Sequence, residues 1–446
     1  MLPKKEKKVK VAKQISQQAA KQISQQAADQ NLIYIQIARY RDPQLLITLK
    51  DCIDKAKHPE NLRFGIAWQH SEADTWDHLD PYQNDTRFRI VDINYQDAKG
   101  VCWARNLVQA LYKDEKYTLQ IDSHHRFAVN WDSTMIDMLQ KLQKDGSPKP
   151  LITSYIPSFD PEKDPEARVL EPWKMTFDRF IPEGAIFFLP AAFDSQIEKT
   201  DRPLLGRFYS AHFAFTLGIF CKEVAHDPNY YFHGEEINIA VRAFTYGYDI
   251  YYPHDVVCWH EYTRKGRSKQ WDDDPVWHEK NRVSHERNRQ LFNMDDHTNN
   301  INFGRYGFGT TRTLLDYEKY AGIQFKTRSI TQDVIDHKPP KLKNMSISDK
   351  KFAASLHPIF KHCIDIGYAQ VPEDDYNFWC VAFKDENGED LNRVDADVAE
   401  IARMKNDPDG YCKIWRSFPT TKTPKSWIVW PHSLSKGWSD PITGNI

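Results

Sequence analysis

Between residues 32 and 121 the chain alternates short apolar runs with amphipathic ones, and this alternation limits the fold more than any other feature. Leu32 to Ala38 has the length and β-branched content of a buried strand, and Leu62 to Trp68, Phe88 to Ile93 and Tyr117 to Ile121 share that character. Asp42 and Pro43 supply an N-cap and a first-turn proline for a helix carrying Leu45, Leu49, Cys52 and Ala56 on one face. Gly100 opens a second helix with Val101, Ala104, Val108, Leu111 and Tyr112. Strands alternating with helices predict an α/β domain with a mainly parallel sheet, in which ligands bind beyond the carboxyl ends of the strands. Asp122 stands at such an end.

Further strands are expected at Leu151 to Ile156, Ala185 to Leu189, Phe213 to Phe220, Tyr248 to Tyr252 and Val256 to Trp259, and a helix at Glu235 to Tyr246 stopped by Gly247. Residues 264–300 read as charged and irregular, and a Lys/Pro-rich stretch, His337 to Lys343, reads as a domain boundary. The expected organisation is a leader over 1–30, an α/β domain over 31–336 and a small β-rich accessory domain over 344–446. The last rests on the hairpin signals at Phe378 to Phe383, Asp385 to Gly388 and Ser426 to Trp430. Within the leader, Lys13 to Ala20 recurs unchanged as Lys21 to Ala28, one weak helix with no chemistry of its own.

A net charge of −2 gives no global positive field for a polyanion, so nucleic acid is not an expected partner. No apolar run approaches the ~20 residues that span a bilayer, so no transmembrane segment is expected. The Lys-rich start is followed by Gln and Ser rather than an apolar stretch, unlike a secretory signal. Seven widely spaced cysteines, an odd number, read as reduced thiols in the cytoplasm.

Chemistry gathers in four places. In extended chain, residues two apart point the same way, so Asp122 and His124 can converge on one metal ion, an O/N donor pair that suits Mn²⁺ better than calcium. Alone the pair is a weak signal, because Asp and His also form turns. His260, at the end of another expected strand, gives one carboxylate and two imidazoles with coordination positions left for phosphate oxygens. His233, Gly234, Glu235 and Glu236 open a helix. Acidic first turns are ordinary, but Gly234 lets a substrate approach the backbone, and either carboxylate can orient a sugar hydroxyl or an acceptor. Arg105 lies on the apolar stripe of its helix beside Asn106. It needs a partner, either a strand carboxylate such as Asp92 or a nucleotide phosphate.

Together these residues resemble a known family. Leu119 to His124 with Arg126, Phe127, Trp131 and Asp132, Gly100 to Asn106 upstream, Phe232 to Glu236 and Val257 to His260 downstream, and Phe308 to Glu318 with Tyr320 to Ile323 are similar, in the same order, to the polypeptide N-acetylglucosaminyltransferases of glycosyltransferase family 60. The type members act on a hydroxyproline of a cytoplasmic ubiquitin-ligase adaptor. The resemblance covers roughly residues 31 to 325. It implies a GT-A fold, UDP-N-acetylglucosamine as donor, a divalent metal, and retention of configuration. The Asp122-Ser123-His124 motif is also similar to that of mucin-type N-acetylgalactosaminyltransferases, whose later His is the third ligand, which supports His260. On the reading of the residues themselves, Arg105, Asn106, Asp122, His233 and Gly234 are expected to contact the nucleotide sugar, and Glu235 and Glu236 to be catalytic. His125 departs from the family, standing where an apolar residue is expected, and the leader and the region after His337 have no counterpart in it. The acceptor is open, a protein or a glycan. Rival readings are a transferase extending a glycan or surface polysaccharide, a metal-dependent hydrolase, and a sugar-binding relative without activity.

Overall fold

A computed structural model of the protein describes residues 31–181, 183–194, 201–294, 300–406, 408 and 410–446, so the duplicated leader lies outside the described residues. The chain forms two compact units. The first holds the chain to Ala321 together with Pro339–Ser346, and the second holds Gly322–Lys338 and Ile347–Ile446. The chain thus leaves the first unit at Gly322, returns for one short segment, and leaves again, where the sequence suggested a single crossing at 337–343.

In the first unit the expected alternation appears as β1 (Ile33–Tyr40), α1 (Leu45–Lys55), β2 (Leu62–His70), β3 (Phe88–Asn94), α2 (Val101–Ala110) and β4 (Tyr117–Ile121). β5 (His125–Phe127), α3 (Trp131–Lys144), β6 (Pro150–Thr153), β7 (Trp173–Ile181), β8 (Ala185–Ala192), β9 (Leu204–Leu205) and β10 (Phe213–Leu217) follow. Then come α4 (Glu235–Thr245), β11 (Asp249–Tyr252), β12 (Cys258–His260) and α5 (Trp277–Leu291). Eight strands form one sheet in the order β3-β2-β1-β4-β10-β6-β11-β9. β3, β2, β1 and β4 run parallel, whereas β10 is antiparallel to both β4 and β6. The sheet is thus mixed α/β and mainly parallel, as expected, with β10 reversed beside β4 and β9 reversed at the edge.

β1 is central because it is apolar on both faces, as a strand covered on both sides must be. Ile35, Ile37, Phe64, Ile66, Leu119 and Phe215 pack with Leu45 and Leu49 of α1 and Met135 and Leu139 of α3. Tyr34, Ala67, Ala104 and Val108 pack together in a further cluster. Full burial of each large apolar side chain contributes about 1.5–3 kcal/mol, which fixes α1 and α2 against the sheet. The register then sets the site. Ile37 of β1 lies opposite Ile121 of β4, so residues following Tyr40 and Ile121 emerge at one edge.

Two sequence expectations change here. Residues 264–300 are not irregular throughout, because α5 is a fifteen-residue helix whose buried side is largely polar (Ser284, His285, Asn288, Leu291) and so left no apolar period. The strand expected over 213–220 ends at Leu217, and a short helix follows at Phe220–Glu223. β7, which the sequence did not suggest, pairs with β8 as a hairpin.

The second unit is β-rich. Residues 359–367 of the strand 356–367 pair with the strand 411–419, and a separate sheet is built on strands 376–384 and 426–433. Ile364, Ile366, Trp379, Val381, Phe383 and Ile414 form its core. Among the described residues no helix is long and apolar enough to cross a membrane, none of the seven cysteines is in a disulfide, and six of them are buried.

Candidate active site

Asp122 follows the last residue of β4, and the chain turns at once into β5, which carries His125. β5 pairs with β12, with His125 directly opposite His260. That ladder brings His260, distant in sequence, to the turn holding Asp122 and His124. Donor atoms of Asp122, His124 and His260 all lie within 4.8 Å of one another. His260 Nε2 is 3.5 Å and His124 Nε2 3.8 Å from Asp122 Oδ2.

The donor set fits a metal. Both ring nitrogens of His260 are buried without a hydrogen-bond partner, a costly arrangement unless something binds there. His124 Nδ1 lies 2.6 Å from Asp42 Oδ2, so the ring donates its Nδ1 hydrogen to Asp42 and keeps a lone pair on Nε2. Arg267 Nη1 lies against both ring nitrogens, close to Nδ1 and 2.7 Å from Nε2, so the tautomer is set by Asp42 rather than by Arg267. Asp42 also accepts from Ser123 Oγ at 2.8 Å. Burial pushes the Asp42 carboxyl up, but His124 and Arg267 beside it outweigh burial and hold it well below the usual carboxylate range. Asp42 was expected to cap α1. Gln44 occupies the cap position instead, and Asp42 is the residue that orients His124. Thr48 of α1 completes the clamp by donating to Ser123 O at 2.8 Å and accepting from His125 N at 3.0 Å.

Arg105, 4% exposed, reaches neither Asp92 nor open solvent. Its Nη2 donates to Asp122 Oδ1 at 3.1 Å and its Nη1 to Glu235 Oε1 at 2.6 Å, so one guanidinium joins two candidate residues. Asp92 pairs with His70. Burial opposes ionisation of Asp122, yet the contacts from His260 and Arg105 hold it well below the ordinary carboxylate range. Cys102 Sγ donates to the other Glu235 oxygen at 2.7 Å, with His226 Nδ1 at 3.6 Å. Cys102, His226 and Glu235 also bring donor atoms within 4.8 Å, but the Arg105 cation already neutralises that carboxylate, and burial keeps the thiol protonated. Asn106 is not brought to the site. Its amide donates to His226 O at 2.8 Å and Tyr306 OH at 3.2 Å.

Two clefts meet at Asp122 and His260. One, about 830 Å³, is walled by Tyr40, Gln69, Tyr231, Arg264, Arg267 and Trp271. The other, about 920 Å³, is walled by Tyr155, Phe187, His212, His233, Gly234 and Glu236. Arg105, Phe232 and Arg264 border both. Glu236 accepts from Ala211 N at 3.0 Å and Tyr155 OH at 2.8 Å. Burial pushes its carboxyl up to about 7 despite those two hydrogen bonds. His233 lies 2.9 Å from His285 Nε2, and burial, with His285 beside it, lowers its ring to about 4. Gly234, expected to admit a substrate, has a nearer need. Its φ is +100°, and a Cβ there would meet Asn288 Nδ2 at 2.7 Å.

Sequence reasoning placed none of Asp42, Tyr155, His212 and Arg267 in the site, Asp42 being read only as a helix cap. His212 precedes Phe213, which pairs with Ile121, and stacks on His260 with ring centroids 4.2 Å apart. Burial lowers its ring to about 3. His125 is fully buried with Nε2 unpartnered, its ring 5.0 Å from that of His260, so the residue that departs from the resemblance lies against the ligand cluster.

A sheet of this kind, with a carboxylate and two imidazoles at its carboxyl edge between two clefts, fits a sugar-nucleotide transferase. The sequence profile of the family described as Glycosyltransferase (GlcNAc) matches residues 32–87 and 75–327, and the chain belongs to that family. No curated protein matches in sequence. Among solved structures, GalNAc-T7 with UDP, GalNAc and Mn²⁺ is similar at 14% identity and TM-score 0.40, covering 54% of this chain and 46% of its own. The first 349 residues of Staphylococcus aureus TarS with UDP-GlcNAc give 12% and 0.34, covering 54% and 60%. The mannosyltransferase PcManGT of Pyrobaculum calidifontis with GDP-Man and Mn²⁺ gives 10% and 0.34, covering 56% and 69%. The chain thus spans about half the length of GalNAc-T7.

Proposed function

We propose that the protein moves N-acetylglucosamine from UDP-N-acetylglucosamine to a hydroxyl of a polypeptide, hydroxyproline being the acceptor by resemblance, with retention of configuration. The observation that carries this reading is the junction of two clefts at Asp122 and His260. The first cleft takes the nucleotide, with Tyr40 and Trp271 as flat surfaces for a base and Arg264 and Arg267 as cations for phosphate. The second takes the sugar and the acceptor. Asp122, His124 and His260 would hold a divalent ion, Mn²⁺ by its O/N donor set. Such an ion supplies positive charge to the diphosphate as it departs.

In the transfer, the bond between sugar C1 and the β-phosphate oxygen breaks and a bond from C1 to the acceptor oxygen forms. The acceptor proton leaves to a base, and Glu236 in the second cleft, poised near neutrality, is the group placed to take it. Glu235 is committed to Arg105 and Cys102, which gives it a positioning role. Seven cysteines outside any disulfide fit a cytoplasmic setting.

The test is UDP release from a panel of UDP-sugars, with Mn²⁺ or with chelator, and with hydroxyproline peptides or saccharides as acceptors. Transfer to peptide from UDP-N-acetylglucosamine alone, lost on chelation and in Asp122→Ala, is expected, and NMR of the product gives the anomer. Transfer only to saccharides would move the reading to a glycan-extending enzyme. Tight UDP binding without turnover under any metal would reduce it to a sugar-binding relative.

A further inference from the structure

The sheet built on strands 376–384 and 426–433 is two-faced, and only one face is explained by packing. Trp379, Val381, Phe383 and Val429 are fully buried in the core of the second unit. The opposite face of a solvated antiparallel sheet is ordinarily polar. Here it carries Phe378, Trp430, His432 and Trp438 instead.

The register places these four side by side, with Phe378 opposite His432 and His432 opposite Trp438. Phe378 and His432 stack nearly parallel, at 13° with centroids 5.4 Å apart. Trp438 stands edge-on to both, at 89° to Phe378 and 82° to His432. Trp430 leans against Trp438 at 4.5 Å and 42°. The two indoles remain 38% and 46% exposed. Trp430 is held by its Nε1 donating to Ser439 O at 2.7 Å, and His432 by Asn377 Oδ1 at 2.7 Å from its Nδ1. The rings are therefore fixed in position before any ligand arrives.

We propose that this aromatic face binds a neutral saccharide. With a Trp side chain near 250 Å², the indoles offer roughly 200 Å², against ~800 Å² that each partner contributes to a stable protein interface. The patch is too small for a second copy of the chain and matches about one pyranose ring. None of the five side chains, Asn377 included, is Lys, Arg, Asp or Glu, so no ionic ligand is called for. The aliphatic C–H face of a pyranose covers an indole face, whose π-electrons are negative, while the hydroxyls project at the rim. The Asn377 amide nitrogen and Trp438 Nε1 have no intrachain partner among the described residues, and both are donors for such hydroxyls. This site does not depend on the transferase reading, since its residues belong to the second unit and those of the clefts to the first.

The full chain, with chelator and no nucleotide, would be titrated with chitotriose and with maltotriose, following tryptophan emission and heat. Saturable binding is expected with one of them, weakened at least tenfold in Trp438→Ala and in Trp430→Ala, largely kept in Trp438→Phe, and unchanged in Asp122→Ala. Circular dichroism and the thermal midpoint identify any variant that fails to fold, and the second tryptophan variant then decides. The proposal is overturned if neither sugar binds, if binding survives both tryptophan variants, or if Asp122→Ala abolishes it. It is equally overturned if sedimentation finds a dimer that Trp438→Ala converts to monomer, since a second copy would then cover the face.

Discussion

Asp42 Oδ2 sits 2.6 Å from His124 Nδ1, and that contact decides which nitrogen of His124 faces Asp122 and His260. A carboxylate behind a metal-ligating imidazole fixes the tautomer and raises the basicity of the ligand. Asp42→Asn keeps the shape and removes the charge. We expect Mn²⁺ affinity, measured by titration calorimetry or by loss of the free-ion EPR signal, to fall about 10- to 100-fold. Unchanged affinity in a folded Asp42→Asn protein would remove Asp42 from the site.

Arg105 bridges Asp122 and Glu235 from a buried position, so its loss should register in stability as well as activity. Arg105→Ala leaves Glu235 buried and unpaired, which typically costs about 3–5 kcal/mol. Replacing Arg105 and Glu235 together, as Arg105→Ala with Glu235→Gln, should cost clearly less than the sum of those two single changes, because the Glu235 charge no longer stands uncompensated. Urea denaturation of the four proteins measures the coupling. Simple additivity would mean the bridge contributes nothing to the fold.

The parts of this site that the sequence made legible are those carried by strands. β1, β2 and β4 are apolar runs with one possible role each, and Asp122 and His124 follow β4 at the pleat spacing. Asp42 was hidden because Asp-Pro ahead of a helix looks like a cap, and local chemistry could not reveal that its carboxylate turns to β4's end. His212 and Tyr155 were invisible because they reach the site only through the antiparallel insertion of β10 beside β4, which a βαβ pattern does not foretell. Arg105 was recognisable as a buried cation needing a partner. Its partners were not, since Asp122 and Glu235 lie 17 and 130 residues away. α5 escaped because a helix that buries Ser284, His285 and Asn288 has no apolar stripe to find.

Gly234 caps α4 at φ +100°, with Asn288 Nδ2 where a Cβ would stand. Asn288 in turn donates to Gly234 O at 3.0 Å, so α5 is fastened to the start of α4 at this point. Gly234→Ala should therefore lower stability by about 1–2 kcal/mol from backbone strain alone, with added loss from displacing Asn288. Thermal unfolding of Gly234→Ala beside Asn288→Ala separates the two contributions. If Gly234→Ala impairs only substrate binding and leaves the midpoint unchanged, the glycine serves the ligand rather than the helix.

Glu236 ties the second cleft to pH. Its carboxyl, ordinarily near 4.5, is pushed up to about 7 by burial, against the hydrogen bonds from Ala211 and Tyr155. The folded chain therefore holds a proton that the unfolded chain releases at lower pH. The stability this contributes is fully present below about 4.5 and is lost as pH rises through 7. The loss should be on the order of 1–3 kcal/mol once solvent at the cleft wall is allowed for. Glu236→Gln is neutral at every pH, so its thermal midpoint should fall less between pH 5 and 8 than that of the unsubstituted protein. The same ionisation should raise the transfer rate through pH 7, while Glu236→Gln stays slow and flat. Parallel stability profiles for the two proteins would show that Glu236 does not titrate in this range and is no candidate base.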